Sequence, residues 1–205
     1  MYAKHERDAC CDALSEAGPD APTLCEGWTA SDLAAHLYVR EYETWAASGM
    51  AIPPLAGLLD GRMRAAQERL GFDGLVSAVR NGPPPLSPFS LPGMDEKGNL
   101  TEYFVHTEDV RRPAGLAPRE LPGGMEDALW ARLSSMGRLL LRRSPDGVVL
   151  EREGTGESLH ASPGAQIVTV IGKPSELLLF AFGRRDAAVV RFIGEPGAIM
   201  RLKRA

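Results

Sequence analysis

The segment 99–113, NLTEYFVHTEDVRRP, decides how this chain folds. Read as a helix, it sets Glu102 and His106 one turn apart on one face, with Asp109 three residues further along that face. Leu100, Tyr103, Phe104, Val105 and Val110 take up most of the remaining circumference. A helix this apolar is expected to be buried nearly all round, and a polar line on a buried helix needs compensation. A cation held jointly by Glu102 and His106 would supply it. Two other readings stay open. Asn99 could be an N-cap with Glu102 as its capping-box partner, leaving His106 on the surface. The line could also be a solvated charged edge. Pro113 stops the helix.

Upstream, residues 2–17 read as an amphipathic helix with Cys10, Cys11 and Leu14 on its apolar side, stopped by Gly18-Pro19. A second helix begins after Thr29, a good N-cap whose capping box is completed by Asp32, and ends by Gly49 and Pro53-Pro54. Residues 55–81 suggest a helical pair broken near Gly71 and Asp73. The proline-rich stretch 82–93 is expected to be an ordered surface loop. Downstream, a longer helix is expected from Gly124 to Arg143, with Leu129, Leu133, Met136 and Leu140 as its stripe. The pattern then changes. GVVLERE, SLHAS, QIVTVIG and AAVVRFIG read as strands, KPSELLLFAFGR as a short helix, and EPGAIMRLKR as a last one. The expected architecture is mainly α with a C-terminal α+β part. The shift near Ser144–Gly147 places the boundary between residues 1–144 and 145–205, two parts expected to pack together.

Composition narrows the function classes. The formal net charge of −4 over 205 residues argues against general nucleic-acid binding. The longest strongly apolar run, LLLFAF, is far short of the ~20 residues that span a bilayer. The N-terminus has no apolar core of the signal-peptide kind, so a cytoplasmic location is expected. Three cysteines, two of them adjacent and none in a CxxC pair, suggest neither a disulfide framework nor a cysteine-based zinc site. They read as small reduced core residues.

Four histidines remain. His5 sits among charged residues and reads as solvated; His160 lies on a face of a strand. His36 borders the apolar stripe of the second helix, next to Leu33 and Leu37 on the wheel. It is either a core histidine satisfied by one hydrogen bond or a ligand. Helical bundles build metal sites from inward side chains on facing helices. One histidine from the second helix with Glu102 and His106 from a later one makes two imidazoles and one carboxylate. Three such ligands with an open position are the catalytic type of zinc site, and the same set suits Fe(II), Mn(II) or Ni(II).

TLCEGWTASDLAAHL and EYFVHTEDVRRP resemble the metal-binding DinB-like proteins of actinobacteria, grouped with the N-terminal domain of mycothiol-dependent maleylpyruvate isomerase. In that group one bundle helix carries D-x-x-x-H-L and a later one carries E-x-x-x-H. The C-terminal VTVIGKPSELLLFAFGRRDAAVVRFIGE is similar to the small domain that follows the bundle. The resemblance implies a DinB-like four-helix bundle with an added linking helix and a C-terminal α+β domain. It implies His36, Glu102 and His106 as ligands of a divalent ion, zinc being the first expectation. Beside these, Asp109 reads either as a residue that orients a ligand from behind or as one half of a plain helix salt bridge. The resemblance further implies a low-molecular-weight thiol such as mycothiol as cofactor and an electrophilic small molecule as substrate, with isomerisation or S-transfer as the reaction. Arg184 or Arg191 could bind a substrate carboxylate, and each is equally readable as a surface charge. One departure is Thr107, where relatives often have a second consecutive histidine. Two alternatives stand beside this: a non-catalytic binding protein with a structural metal, and a metal-free hydrogen-bonded polar cluster.

Overall fold

The computed structural model describes residues 2–43, 56–85, 87–90 and 93–205. The expected end of the second helix at Gly49 and Pro53-Pro54 lies outside them, as does part of the proline-rich loop. The chain divides into two compact units, Met1–Ala117 and Pro118–Ala205.

Among its described residues the first unit contains four α-helices: α1 (Tyr2–Ala17), α2 (Ala30–Tyr42), α3 (Ala56–Asn81) and α4 (Met94–Arg111). α1 packs on α4, and α2 on α3. Cys10, Cys11 and Leu14 of α1, Leu33 and Leu37 of α2, Leu75 and Val79 of α3 and Tyr103 of α4 share one apolar core. The start of α2 is fixed by the expected capping box. The Thr29 hydroxyl accepts from the Asp32 N–H at 3.3 Å, and the Asp32 carboxylate accepts from the Thr29 N–H at 3.0 Å. These bonds satisfy donors that a helix start leaves without intrahelical partners. α3 is two helices joined at Gly71, whose φ of 63° lies outside the helical region and suits a residue with no Cβ. The stretch from Gly82 carries a short 3-10 turn, Pro88–Ser90.

α4 begins earlier than the capping-box reading of Asn99 requires. Its N-cap is Gly93, so Asn99 lies inside the helix and is fully buried. Every described residue from Asn99 to Val110 is buried except Glu102, which is half-buried. The surface reading of His106 and the solvated-edge reading are thereby both corrected.

The second unit contains α5 (Gly123–Leu140), β1 (Gly147–Arg152), β2 (Ser158–Ser162), β3 (Ile167–Gly172), α6 (Pro174–Ala181), β4 (Arg191–Ile193) and α7 (Pro196–Arg204). The sheet order is β2-β1-β3-β4. β1 pairs antiparallel with β2 and parallel with β3, and β3 pairs antiparallel with β4. α6 is buried throughout, as its Leu-Leu-Leu-Phe run demands.

The sequence places the boundary near Ser144–Gly147, whereas the compact units part between Ala117 and Pro118. The reason is packing. α5 buries Met125, Leu129 and Leu133 and lies on α6 and β2, so it belongs with the sheet. The composition change at Ser144 marks a passage from helix to strand inside that unit. No helix among the described residues is long and apolar enough to cross a membrane.

Because the cap and the apolar stripe of α2 do different work, they separate on mutation. Thr29→Ala should lower stability by about 1 kcal/mol, and Leu37→Ala by roughly 2–5 kcal/mol. Urea denaturation followed by circular dichroism measures both; equal losses would contradict this division.

Candidate metal centre

α2 and α4 meet through polar side chains. His36 and Arg40 stand one turn apart on α2; Asn99, Glu102, His106 and Asp109 form the line on α4. The Nε2 atoms of His36 and His106 each lie 3.3 Å from the same oxygen, Glu102 Oε1. The two imidazole rings stand edge-on with centroids 5.3 Å apart, and Trp28 tilts against His36 at 5.1 Å. His36 is 4% and His106 8% exposed, while the Glu102 side chain is 21% exposed. The three residues picked out by helical spacing are therefore brought together, with Glu102 facing the more open side.

Asp109 stands behind His106. Its Oδ2 accepts from His106 Nδ1 at 2.8 Å and from the Cys25 thiol at 3.2 Å. The Asp109 carbonyl oxygen accepts from the Leu24 N–H at 2.9 Å, which pins the loop before α2 to the end of α4. A carboxylate on the far nitrogen fixes the tautomer and ring plane of a histidine and raises its basicity. Arg40 closes the other end, with Nε 3.3 Å from Glu102 Oε1.

The charges follow from these contacts. Burial pulls the His106 imidazole down, but its bonds to Asp109, Cys25 and Glu102 outweigh this and hold it well above the ordinary histidine range. Burial dominates at His36 and pushes it down, Glu102 offsetting only part. Burial would raise Glu102, yet His106, His36 and Arg40 together hold it well below the usual carboxylate range. With Asp109 on Nδ1 and Glu102 facing Nε2, His106 needs a positive charge between itself and Glu102. A proton can supply that charge, and so can a metal ion.

The residues fit a metal ion on three counts. The donor atoms of His36, Glu102 and His106 all lie within 4.8 Å of one another. Donors about 2.0–2.1 Å from a tetrahedral zinc lie roughly 3.3 Å apart, which matches both Nε2–Oε1 separations and is long for a hydrogen bond. Two imidazoles and a carboxylate are also the donor types that zinc, iron, manganese and nickel accept. Cys25, His106 and Asp109 form a second close group, but the 2.8 Å His106–Asp109 contact already joins two of its donors directly.

Of the other candidates, the His5 side chain is largely exposed beside Glu6, and His160 is exposed on β2. Arg184 gives a hydrogen bond to the Phe182 carbonyl oxygen within its own unit, and Arg191 is exposed on the short strand β4. Sequence reasoning gave Arg40, Asn99, Trp28 and Cys25 no part in the site, reading Asn99 as a helix cap and Cys25 as a core residue. Arg40 carried a signal, standing four residues after His36 on the same helix face. Cys25 carried none, because only the fold brings its loop to Asp109.

Residues 3–88 match the family model described as the mycothiol maleylpyruvate isomerase N-terminal domain, a span that includes His36 and stops before Glu102. Among solved structures, the chain is similar to the crystal structure of the mycothiol-dependent maleylpyruvate isomerase. The TM-score is 0.54 at 17% identity, covering 93% of this chain and 90% of that one. A histidine-to-alanine mutant of that isomerase matches to the same extent. At this identity the likeness shows the fold, a DinB-like helical bundle followed by a small mixed domain. No curated protein matches the sequence.

The electrostatics can be tested on metal-free protein. His106 should titrate above the ordinary histidine value and His36 below it in imidazole NMR spectra, and Asp109→Asn should bring His106 down. The stability that His106 contributes is complete below about pH 6.5 and fades as pH rises through its raised pKa. Glu102 contributes above about pH 4.3 and loses its share as pH falls through its lowered pKa. Asp109→Asn should therefore cost more stability at about pH 5.5 than at pH 9. The His36 effect is common to both proteins and cancels in that difference.

Proposed function

We propose that this chain, whose residues 3–88 belong to the mycothiol maleylpyruvate isomerase N-terminal domain family, is a divalent-metal enzyme that activates a low-molecular-weight thiol such as mycothiol. The convergence of His36 Nε2 and His106 Nε2 on one oxygen of Glu102, each at 3.3 Å, is the observation that carries this reading. His36, Glu102 and His106 would hold the ion, zinc being the first expectation. When bound, the ion supplies Lewis acidity that lowers the pKa of a coordinating thiol.

The protein's own residues do the rest. Asp109 holds His106 with Nδ1 occupied, so that Nε2 faces inward. Trp28 packs against His36 and shields that side. The half-buried Glu102 leaves an approach from the open side of the bundle. An electrophilic small molecule is the substrate class, and isomerisation by reversible thiol addition and S-transfer both suit such a site. By the same family likeness, the enzyme named in the solved structures offers isomerisation as the first reaction to assay.

The burial of both imidazoles favours a second reading, a non-catalytic protein in which the ion is structural. Thiol access separates the two. Cobalt(II) protein titrated with mycothiol or a small thiol should develop a sulfur-to-metal charge-transfer band in the near ultraviolet. The band should persist in Cys25→Ser and vanish in His106→Ala. A spectrum unchanged at saturating thiol would sink the enzymatic reading and leave the structural one.

Removing the ion gives an independent check. An ion at 100 times its Kd stabilises the folded state by about 2.7 kcal/mol if it binds only that state. Chelation should therefore lower Tm while the protein stays folded, since the apolar core of the bundle does not depend on the ion. Complete unfolding on chelation would identify a folding staple instead.

A further inference from the structure

Behind Glu102 lies a chain of buried polar groups that the ligand set does not account for. It starts at Arg7 on α1, whose Nη1 donates to Glu41 Oε2 at 2.6 Å, to the Val79 carbonyl oxygen at 2.9 Å and to the Tyr103 hydroxyl at 2.7 Å. The other Glu41 oxygen accepts from Asn99 Nδ2 at 2.9 Å. A carboxylate only accepts, so the Asn99 amide has one orientation: Nδ2 toward Glu41 and Oδ1 toward Arg40, the neighbour of Glu41 on α2. That oxygen accepts from Arg40 Nη1, and the Gly98 carbonyl oxygen accepts from Arg40 Nη2 at 2.7 Å. The Phe89 ring covers the guanidinium, with its centroid 4.5 Å from Cζ. Arg40 is thus held on both Nη atoms and on one face. Its Nε is left directed at Glu102 Oε1, the oxygen on which both imidazoles converge.

The place is built for this. A Cβ at residue 98 would sit 2.8 Å from Phe89 Cε1, so glycine there gives the ring room for its present place over Arg40 and any larger residue would displace it. Arg7, Glu41 and Asn99 are buried, and a buried ion pair is weak evidence for stability, because desolvation can exceed the Coulomb gain. Its consequence here is geometric: it decides which way an amide points, and the amide decides where a guanidinium sits.

We propose that Arg40 is the positioning residue of this site. It holds the Glu102 carboxylate toward His36 and His106, and the buried Arg7–Glu41–Asn99 chain holds Arg40. The inference rests on the metal reading for its consequence, but its geometry can be tested without metal.

Two variants keep the formal charge and so leave the cation-to-cation repulsion nearly unchanged. Arg40→Lys keeps the positive charge and loses the planar fork. Asn99→Ala removes the adaptor between Glu41 and Arg40. In crystal structures of metal-free protein, Glu102 Oε1 should leave the two imidazoles in Arg40→Lys and stay in the wild type. A carboxylate still seated between them in the variant would overturn the proposal, whether or not the protein binds metal.

Zinc affinity, measured by competition with a chromophoric chelator, gives the second readout. Each variant should bind zinc about 10–100-fold more weakly than wild type, the usual effect of losing a residue that orients a ligand. The double variant should be little weaker than either single one, because the two act in series. Unchanged affinity in Arg40→Lys, or fully additive losses, would refute the chain. Failure of the wild type to bind zinc would instead defeat the metal reading and leave the structural arm to decide this one. Should Asn99→Ala not fold, Arg40→Lys decides alone.

Discussion

A row of polar side chains buried along α4 is the constraint to which the first unit answers. Each unpaired buried polar group costs about 1–3 kcal/mol, and more if it is charged. Asn99, Glu102, His106 and Asp109 all face that cost at once. The surroundings meet it in three ways: facing residues on α2, a loop thiol and backbone N–H behind Asp109, and an ion pair anchored on α1. The apolar core packs beside these contacts and takes in Tyr103 and Val110 of α4. His36 Nδ1 is buried and finds no hydrogen-bond partner among the described residues. This loose end lies on the far side of the ring from Glu102, so the asymmetry between the two imidazoles is built in: one braced from behind, the other held by packing against Trp28.

Much of this was legible in the sequence, and the reasons differ by element. The capping box at Thr29 and Asp32 is a local code, fixed by three residues' spacing, and it survives folding unchanged. The meeting of His36 with Glu102 and His106 was readable because helical periodicity names a face, and a polar residue on an otherwise apolar face has few places to go. β2 matched SLHAS residue for residue, since turn residues bracket a short alternating run. The boundary was less readable. The stripe on α5 says that the helix packs but not on what, and Met125, Leu129 and Leu133 would suit a bundle as well as a sheet. Cys25 was illegible for a related reason: its partner is 84 residues away and is met only through a loop.

The two kinds of buried group around the site also divide its labour. Apolar contacts among Leu33, Leu37, Leu75 and Val79 are non-directional and tolerate small shifts of one helix on another. Hydrogen bonds through Asn99 and Arg40 do not, because each fixes an atom and an angle. The bundle therefore owes its existence to the first kind and the register of α2 against α4 to the second. Loosening the polar chain would leave a folded protein whose three ligands no longer agree on a common point.

The contact between residue 98 and the Phe89 ring carries a consequence for how this sequence can change over time. Glycine at 98 and phenylalanine at 89 are acceptable together, and neither has its present purpose without the other. A lineage that acquires a side chain at 98 must move the ring from its present place; one that first loses the ring leaves 98 free to drift toward better helix formers. Descendants should thus hold this pair or exchange both members together, with the hydrogen bonds of Arg40 to Asn99 and Gly98 left in place. Residues 89 and 98 are thus coupled through one contact, and change at either is felt at the other.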